Sequence, residues 1–131
     1  MNKQFWIPGN VPSSKNSRSF NIAMRRSFVS KTAAKYMRDT KPYWLEYAEE
    51  FVNSLPERRP VSVGFHFVRK TRHRYDFINP LQTVQDLMVK YGWLEDDNMD
   101  ILVPHPLKID GTFTTLDPKN PGVYIQIFKF F

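Results

Sequence analysis

Residues 61–68 read VSVGFHFV, and residues 79–92 read NPLQTVQDLMVKYG. In the first stretch Val61, Val63, Phe65 and Phe67 alternate with Ser62, Gly64, His66 and Val68, which is the period of a strand. In the second, Leu81, Val84, Met88 and Tyr91 recur at three- and four-residue steps with Leu87 beside them, which is one face of a helix. Asn79 is the expected N-cap, Pro80 the expected first helical residue, and Gln82 the capping-box partner. Gly92 is the expected C-terminal stop. A strand followed by an amphipathic helix sets the class, and the flanking sequence extends it.

Upstream, Lys3, Phe5 and Ile7 read as a short strand that Pro8-Gly9-Asn10-Val11-Pro12 stops. Residues 13–21 are polar, and a short strand is expected near Ser27-Phe28-Val29. Ser30 caps a helix beginning at Lys31. Pro42 is expected to interrupt it, with Thr40 as a second cap. Trp44, Tyr47, Ala48, Phe51, Val52 and Leu55 then form one apolar face, and Pro56 and Pro60 end the element. Downstream, Ile101-Leu102-Val103 starts another strand. Residues 104–122 read as a long hairpin connection, and 123–128 (VYIQIF) as a strong strand. The whole is an α+β fold: one small domain over residues 1–131, with a mixed or antiparallel sheet and helices packed on one face.

Composition narrows the function classes. Among 131 residues, 41% are hydrophobic and 15% aromatic, which excludes a disordered chain. No apolar run is long enough to span a bilayer, and the first residues lack a signal peptide's apolar stretch. Cysteine is absent, which excludes a disulfide scaffold, thiol catalysis and cysteine-ligated zinc; a cytoplasmic location is expected. The excess of 19 Lys and Arg over 13 Asp and Glu gives a net charge of +6, which suits a polyanionic partner such as nucleic acid. His66, His73 and His105 show no metal-ligand spacing, and His66 is expected to be structural or solvated.

The chemistry concentrates in residues 69–100. A basic run, Arg69, Lys70, Arg72, His73 and Arg74, leads into Asp76; the capped helix follows; then come Glu95, Asp96, Asp97 and Asp100. A helix of 12 residues is about 18 Å long, so Asp76 and Asp97 meet only if the segment after the helix folds back along it or joins the strand carrying Asp76. If they meet, the carboxylates can hold Mg²⁺, which prefers oxygen ligands and keeps several waters. Otherwise Asp96-Asp97-Asn98 is a solvated turn and Asp76 a capping or ion-paired residue. The spacing leaves both readings open.

In order along nearly the whole chain, several features resemble the RusA family of Holliday junction resolvases (crossover junction endodeoxyribonucleases). They are Pro12-Ser13-Ser14-Lys15-Asn16 with Arg18, the Ser30-to-Tyr36 opening of the first helix, and the basic run into Asp76-Phe77-Ile78-Asn79. Gln85-Asp86-Leu87-Met88 and Gly92-Trp93-Leu94-Glu95-Asp96-Asp97 complete the set. The resemblance implies a RusA-like nuclease domain that works as a homodimer and uses Mg²⁺, with Mn²⁺ able to substitute, to nick two strands of a four-way DNA junction. It implies catalytic and metal-binding roles for Asp76, Asp97 and Asp96. It implies DNA contacts from Lys15, Asn16, Arg18, Arg69, Lys70, Arg72, His73, Arg74 and Asn79. Proteins of this kind often occur in phages. Two positions depart from the family pattern: its second Asp is Ile78 here, and its helix Lys is Gln82. Ile cannot ligate a metal and Gln brings no cation to a phosphate. The chain is therefore expected either to use a rebuilt site, with Asp86, Asn79 or Asp100 as an additional ligand, or to bind branched DNA with weakened or lost cleavage.

Other residues carry structural expectations. Trp44, Phe51, Phe65 and Phe67 fit core periodicity. Trp93 is expected in the core, at a dimer contact or beside the metal. Phe20 and Phe28 are candidates for a wedge at the junction. The apolar end, 125–131 (IQIFKFF), is expected in the sheet or in a dimer contact.

Overall fold

The computed structural model describes residues 3–13, 18–21 and 26–129, with side chains for 3–13 and 30–129. Its elements run β1 (Gln4–Pro8), β2 (Arg18–Asn21), β3 (Arg26–Val29), α1 (Lys31–Ser54), β4 (Val61–Arg69), α2 (Ile78–Lys90), β5 (Leu102–Pro106), β6 (Thr114–Leu116) and β7 (Gly122–Phe128). The architecture is a small mixed α+β domain. The main sheet has the order β1-β7-β4-β5, with β6 also on β4. β4 pairs antiparallel with β7 and parallel with both β5 and β6. β2 and β3 form a separate antiparallel pair.

The alternation in β4 sorts its side chains by face. Val61, Val63, Phe65 and Phe67 join Phe5, Ile7, Val123, Ile125 and Ile127 in one core, closed by Trp44 and Phe51 of α1 and Val84, Leu87 and Met88 of α2. Both helices thus cover the same face of the sheet. The other face of β4 is buried as well. His66, expected to be structural or solvated, is fully buried: its Nδ1–H donates to the Leu107 carbonyl (2.8 Å), and Nε2 accepts from the Thr115 hydroxyl (2.7 Å). Both ring nitrogens are satisfied, which is what allows a polar ring there.

Three expectations need correction. Pro42 does not interrupt α1, which is continuous over 24 residues. Pro42 sits on the exposed side, where a carbonyl left without its helical partner can meet water. Thr40 caps nothing; it is buried, its hydroxyl donates to the Tyr36 carbonyl (2.7 Å) and accepts from Trp44 Nε1 (2.9 Å). Residues 104–122 are not one long connection. β5 and β6 line up along the same edge of β4, Val61↔Leu102 through Phe65↔Pro106 and then Phe67↔Thr114 through Arg69↔Leu116. Between them a tight Asp110-Gly111 turn, with φ of 50° and 81°, closes an Ile109↔Thr112 bridge, the left-handed pair that an Asp-Gly hairpin turn requires. The polar stretch 13–21 holds β2, which pairs with the strand expected near 27–29.

The apolar chain end is settled up to Lys129: β7 lies between β1 and β4 in the sheet. Trp93 is a core residue, 1% exposed. Its ring packs on Phe51 (4.6 Å between centroids), Trp44 (5.1 Å) and Phe5 (5.7 Å), and its indole N–H donates to the Trp44 carbonyl (2.7 Å). No helix among the described residues is long and apolar enough to cross a membrane.

Trp93→Ala removes those ring contacts and the indole bond to the Trp44 carbonyl. It should cost about 3–5 kcal/mol, read as a fall in the urea midpoint at unchanged slope. A loss below about 1 kcal/mol would show that Trp93 does not hold α1 to the helix-side core.

Candidate active site

Gly92 ends α2 with φ of 81°, a backbone region open to glycine. Gly92 N–H donates to the Val89 carbonyl (3.2 Å) and Trp93 N–H to the Met88 carbonyl (2.8 Å). This double closure is a Schellman motif. It turns the chain back, and Trp93 and Leu94, both buried, anchor the reversal. Glu95 is then held by Arg59, which donates from Nη2 (2.9 Å) and Nε (3.2 Å) to the two carboxylate oxygens. The arginine fork beside it holds the Glu95 carboxyl below its usual range.

The chain therefore does fold back along the helix. Gln82, Gln85 and Asp86 share one face of α2 by their three- and four-residue spacing. Asp97 reaches this face: its Oδ2 accepts from Gln82 Nε2 (3.2 Å) and Gln85 Nε2 (3.4 Å). Gln82 Nε2 also donates to Asp86 Oδ1 (2.7 Å). One neutral amide thus bridges two carboxylates. Gln82 lies four residues after the first residue of α2, about 6 Å of axial rise, so Asp97 has returned most of the way toward the end that follows Asp76. Gln85 Oε1 is buried with no hydrogen-bond partner.

Asp76 is exposed at the start of α2, and its backbone carbonyl accepts from Asn79 N–H (3.0 Å). That bond closes the first turn earlier than expected. Asn79 is not the cap; it lies inside α2, 9% exposed, and the N-cap position falls on Phe77 without a side-chain bond. Pro80 is consequently the third helical residue, still among the first four, whose N–H groups have no helical partner. Asp96 forms the turn itself: Oδ1 accepts from Asp97 N–H (2.8 Å) and Oδ2 from Asn98 Nδ2 (3.1 Å). The structure thus brings Asp97 onto Asp86, spends Asp96 on local turn bonds, and leaves Asp76 at the helix start. Among the described residues no three His, Asp or Glu side chains stand together as a metal-holding group. A Mg²⁺ ion needs only one or two carboxylates when substrate phosphate and waters complete its shell.

The basic run divides in two. Arg69 is partly buried. Its Nη1 donates to the Val11 carbonyl (3.0 Å), its guanidinium lies 4.5 Å from the Tyr75 ring centroid, and burial lowers its pKa. It is a structural cation. Lys70, Arg72, His73 and Arg74 are exposed on the loop that leads to Asp76. The segment before residue 14 is pinned beside α2 by Thr83, whose hydroxyl donates to the Pro12 carbonyl (2.9 Å). Lys15 and Asn16 lie outside the described residues, as do the side chains of Arg18, Phe20 and Phe28. The sequence reading placed Asp86 only as an accessory and did not single out Gln85. Their shared spacing with Gln82 was visible, but that Asp97 would land on this face was not.

Because the Glu95 pKa is depressed in the folded state, its pairing stabilises above the unfolded glutamate value and is lost as pH falls through the folded one. Glu95→Gln, which leaves the Arg59 bond to the Pro56 carbonyl intact, should lose no more than about 1 kcal/mol near neutral pH, since Glu95 is largely exposed. The gap to the parent protein should close as pH drops toward the acid end of the glutamate range, measured by urea unfolding across pH. A gap that widens on acidification would contradict the assignment.

No family model matches the chain, and no curated protein matches it.

Proposed function

We propose that this protein is a Mg²⁺-dependent, structure-selective endonuclease that cuts phosphodiester bonds at four-way DNA junctions, acting in the cytoplasm as a homodimer. The observation that carries the reading is the return of Asp97 onto α2, where it converges with Asp86 on the Gln82 amide. That same helix begins directly after Asp76 and an exposed cationic loop. The resemblance to RusA-like resolvases implies roles for Asp76 and Asp97, with Asp86 as an additional ligand of a rebuilt site, and the net charge of +6 suits a polyanionic substrate.

Asp97 and Asp86 are the residues that would hold Mg²⁺, with Asp76 a further carboxylate just before the start of the same helix. They fit it: all are oxygen donors, none is fully buried, and the Gln82 amide that joins two of them is displaceable. When bound, the ion lowers the pKa of its water and polarises the phosphate. Lys70, Arg72, His73 and Arg74 hold phosphates that flank the cut. Gln82 and Gln85 orient Asp97 through neutral hydrogen bonds. A four-way junction has approximate two-fold symmetry, so two sites related by a two-fold axis can make paired cuts.

Two observations favour a second reading, a branched-DNA-binding protein with weakened or lost cleavage. Ile78 is 67% exposed and carries no ligating atom. Gln82 supplies a neutral amide between two carboxylates, where a lysine would supply a cation.

The deciding experiment is nicking of a synthetic four-way junction with Mg²⁺, Mn²⁺ or EDTA, beside linear duplex. Paired cuts near the crossover that vanish in EDTA are expected, and Asp97→Asn or Asp76→Asn should slow them at least ~100-fold. A retarded but intact junction, with a log–log salt slope of about −0.9 per phosphate contact, would establish the second reading. No junction binding at low salt would sink both. The paired substitution Ile78→Asp with Gln82→Lys should raise the nicking rate; no change would place the chemistry elsewhere.

A further inference from the structure

We propose that an apolar pocket beside Asp76 holds one unpaired nucleobase by stacking and does not read its identity; this rests on the branched-DNA reading. The pocket is about 340 Å³ and is lined by Tyr75, Phe77, Pro106, Phe113 and Thr114. Tyr75 and Phe77 flank Asp76 in the chain, so the pocket adjoins the loop that carries the first carboxylate of the candidate site.

The aromatic walls are braced. Phe67, fully buried in β4, meets Tyr75 edge-on at 6.3 Å and Phe77 at 5.8 Å between centroids. Arg69 backs the Tyr75 ring. Phe113 follows the tight Asp110-Gly111 turn and is 57% exposed, an uncovered ring on a short, conformationally fixed hairpin.

Two features of the lining select the occupant. First, its side-chain hydroxyl protons are already used. Thr114 Oγ1 donates to the Phe67 carbonyl (3.0 Å) and accepts from Tyr75 Oη (2.5 Å); Pro106 has no N–H. Aromatic faces remain, and neither lining hydroxyl has a proton left to donate to a base edge. Stacking on such faces tolerates every base, because every base has a π face. Second, the rim is cationic. Lys108 Nζ lies 5.5 Å from the Phe113 centroid, and exposed Arg72 and Arg74 precede Tyr75. A purely apolar partner would fill the slot and leave these charges unmatched, whereas a nucleotide supplies both a ring and a phosphate. The base must be unpaired, since a base inside a duplex keeps its faces stacked on its neighbours. At a crossover the terminal pair of an arm has lost a stacking neighbour, so a base there opens at lower cost than one inside a duplex.

The test uses the full chain in EDTA, so that cutting plays no part. A four-way junction and single-stranded oligonucleotides are made with 5-iodouracil at the crossover or mid-strand, and binding is measured over a salt series. Photo-crosslinks to the peptides that contain Tyr75, Phe77 or Phe113 are expected. Phe113→Ala should weaken junction and single-strand binding roughly tenfold or more at unchanged salt slope. Phe113→Tyr should retain binding, and Phe113→Leu, apolar but without a π face, should not. Lys108→Ala should instead make the slope shallower by about 0.9. Oligo-dT, oligo-dA and oligo-dC should bind within a few-fold of one another. If wild-type protein binds the junction and Phe113→Ala or Phe113→Leu binds as tightly, the inference falls while the functional reading stands. A strong preference for one base that Phe113→Ala abolishes would also overturn it. So would a change of oligomeric state in Phe113→Ala, by light scattering, without loss of DNA affinity, because the pocket would then be a subunit contact. If wild-type protein binds no DNA at low salt, the functional reading fails and the inference with it.

Discussion

The burial of Trp93 is the constraint on which the site depends. Its backbone N–H completes the cap of α2, its indole donates to the Trp44 carbonyl, and its ring lies among Trp44, Phe51 and Phe5. A residue tied by backbone, side-chain and ring contacts fixes the direction in which the chain leaves the helix. Leu94 is buried in turn, Glu95 is clamped by Arg59, Asp96 makes the turn, and Asp97 arrives at Gln82 and Gln85. The carboxylate that carries the functional proposal is therefore placed by packing more than 10 Å of chain away from it, at roughly 3.3–3.6 Å per extended residue.

β4 organises the other half of the molecule. It is the strand to which β7, β5 and β6 all pair, and both its faces are buried. Burying the second face requires a satisfied polar side chain, and His66 is satisfied by the segment between β5 and β6 and by β6 itself. That holds the Leu107–Phe113 excursion against the sheet and presents Phe113 at its rim. The exposed cationic loop and the aromatic pocket both follow the carboxyl ends of the parallel strands β4 and β5, the side on which open sheets with parallel strands commonly place their ligands.

Much of this was legible along the chain. The two-residue period of 61–68 and the three-to-four-residue period of 81–91 name a strand and a helix because each period is a direct consequence of backbone geometry. Gly92 was readable as a stop because a left-handed residue is needed there. Pro42 misled because its effect depends on whether the freed carbonyl faces water, which the local sequence does not reveal. The 104–122 stretch misled because its polar turn residues are real, but the short strands beside them are stabilised by β4 and not by their own propensity. Asn79 misled because a backbone carbonyl, that of Asp76, took the place of the expected side-chain cap.

By itself the sequence determined the class of fold, the helix and strand faces, the cationic loop and the set of carboxylates available for chemistry, since all of these follow from local periodicity and residue type. Only the tertiary structure decided which carboxylates meet. Asp97 joins Asp86 across one amide, Asp96 is spent on a turn, and Arg69 is withdrawn into a structural contact. The physical reason is that side chains distant in sequence converge only where the core fixes the path of the chain between them, and here that path is set by a buried tryptophan whose partners lie in β1 and α1.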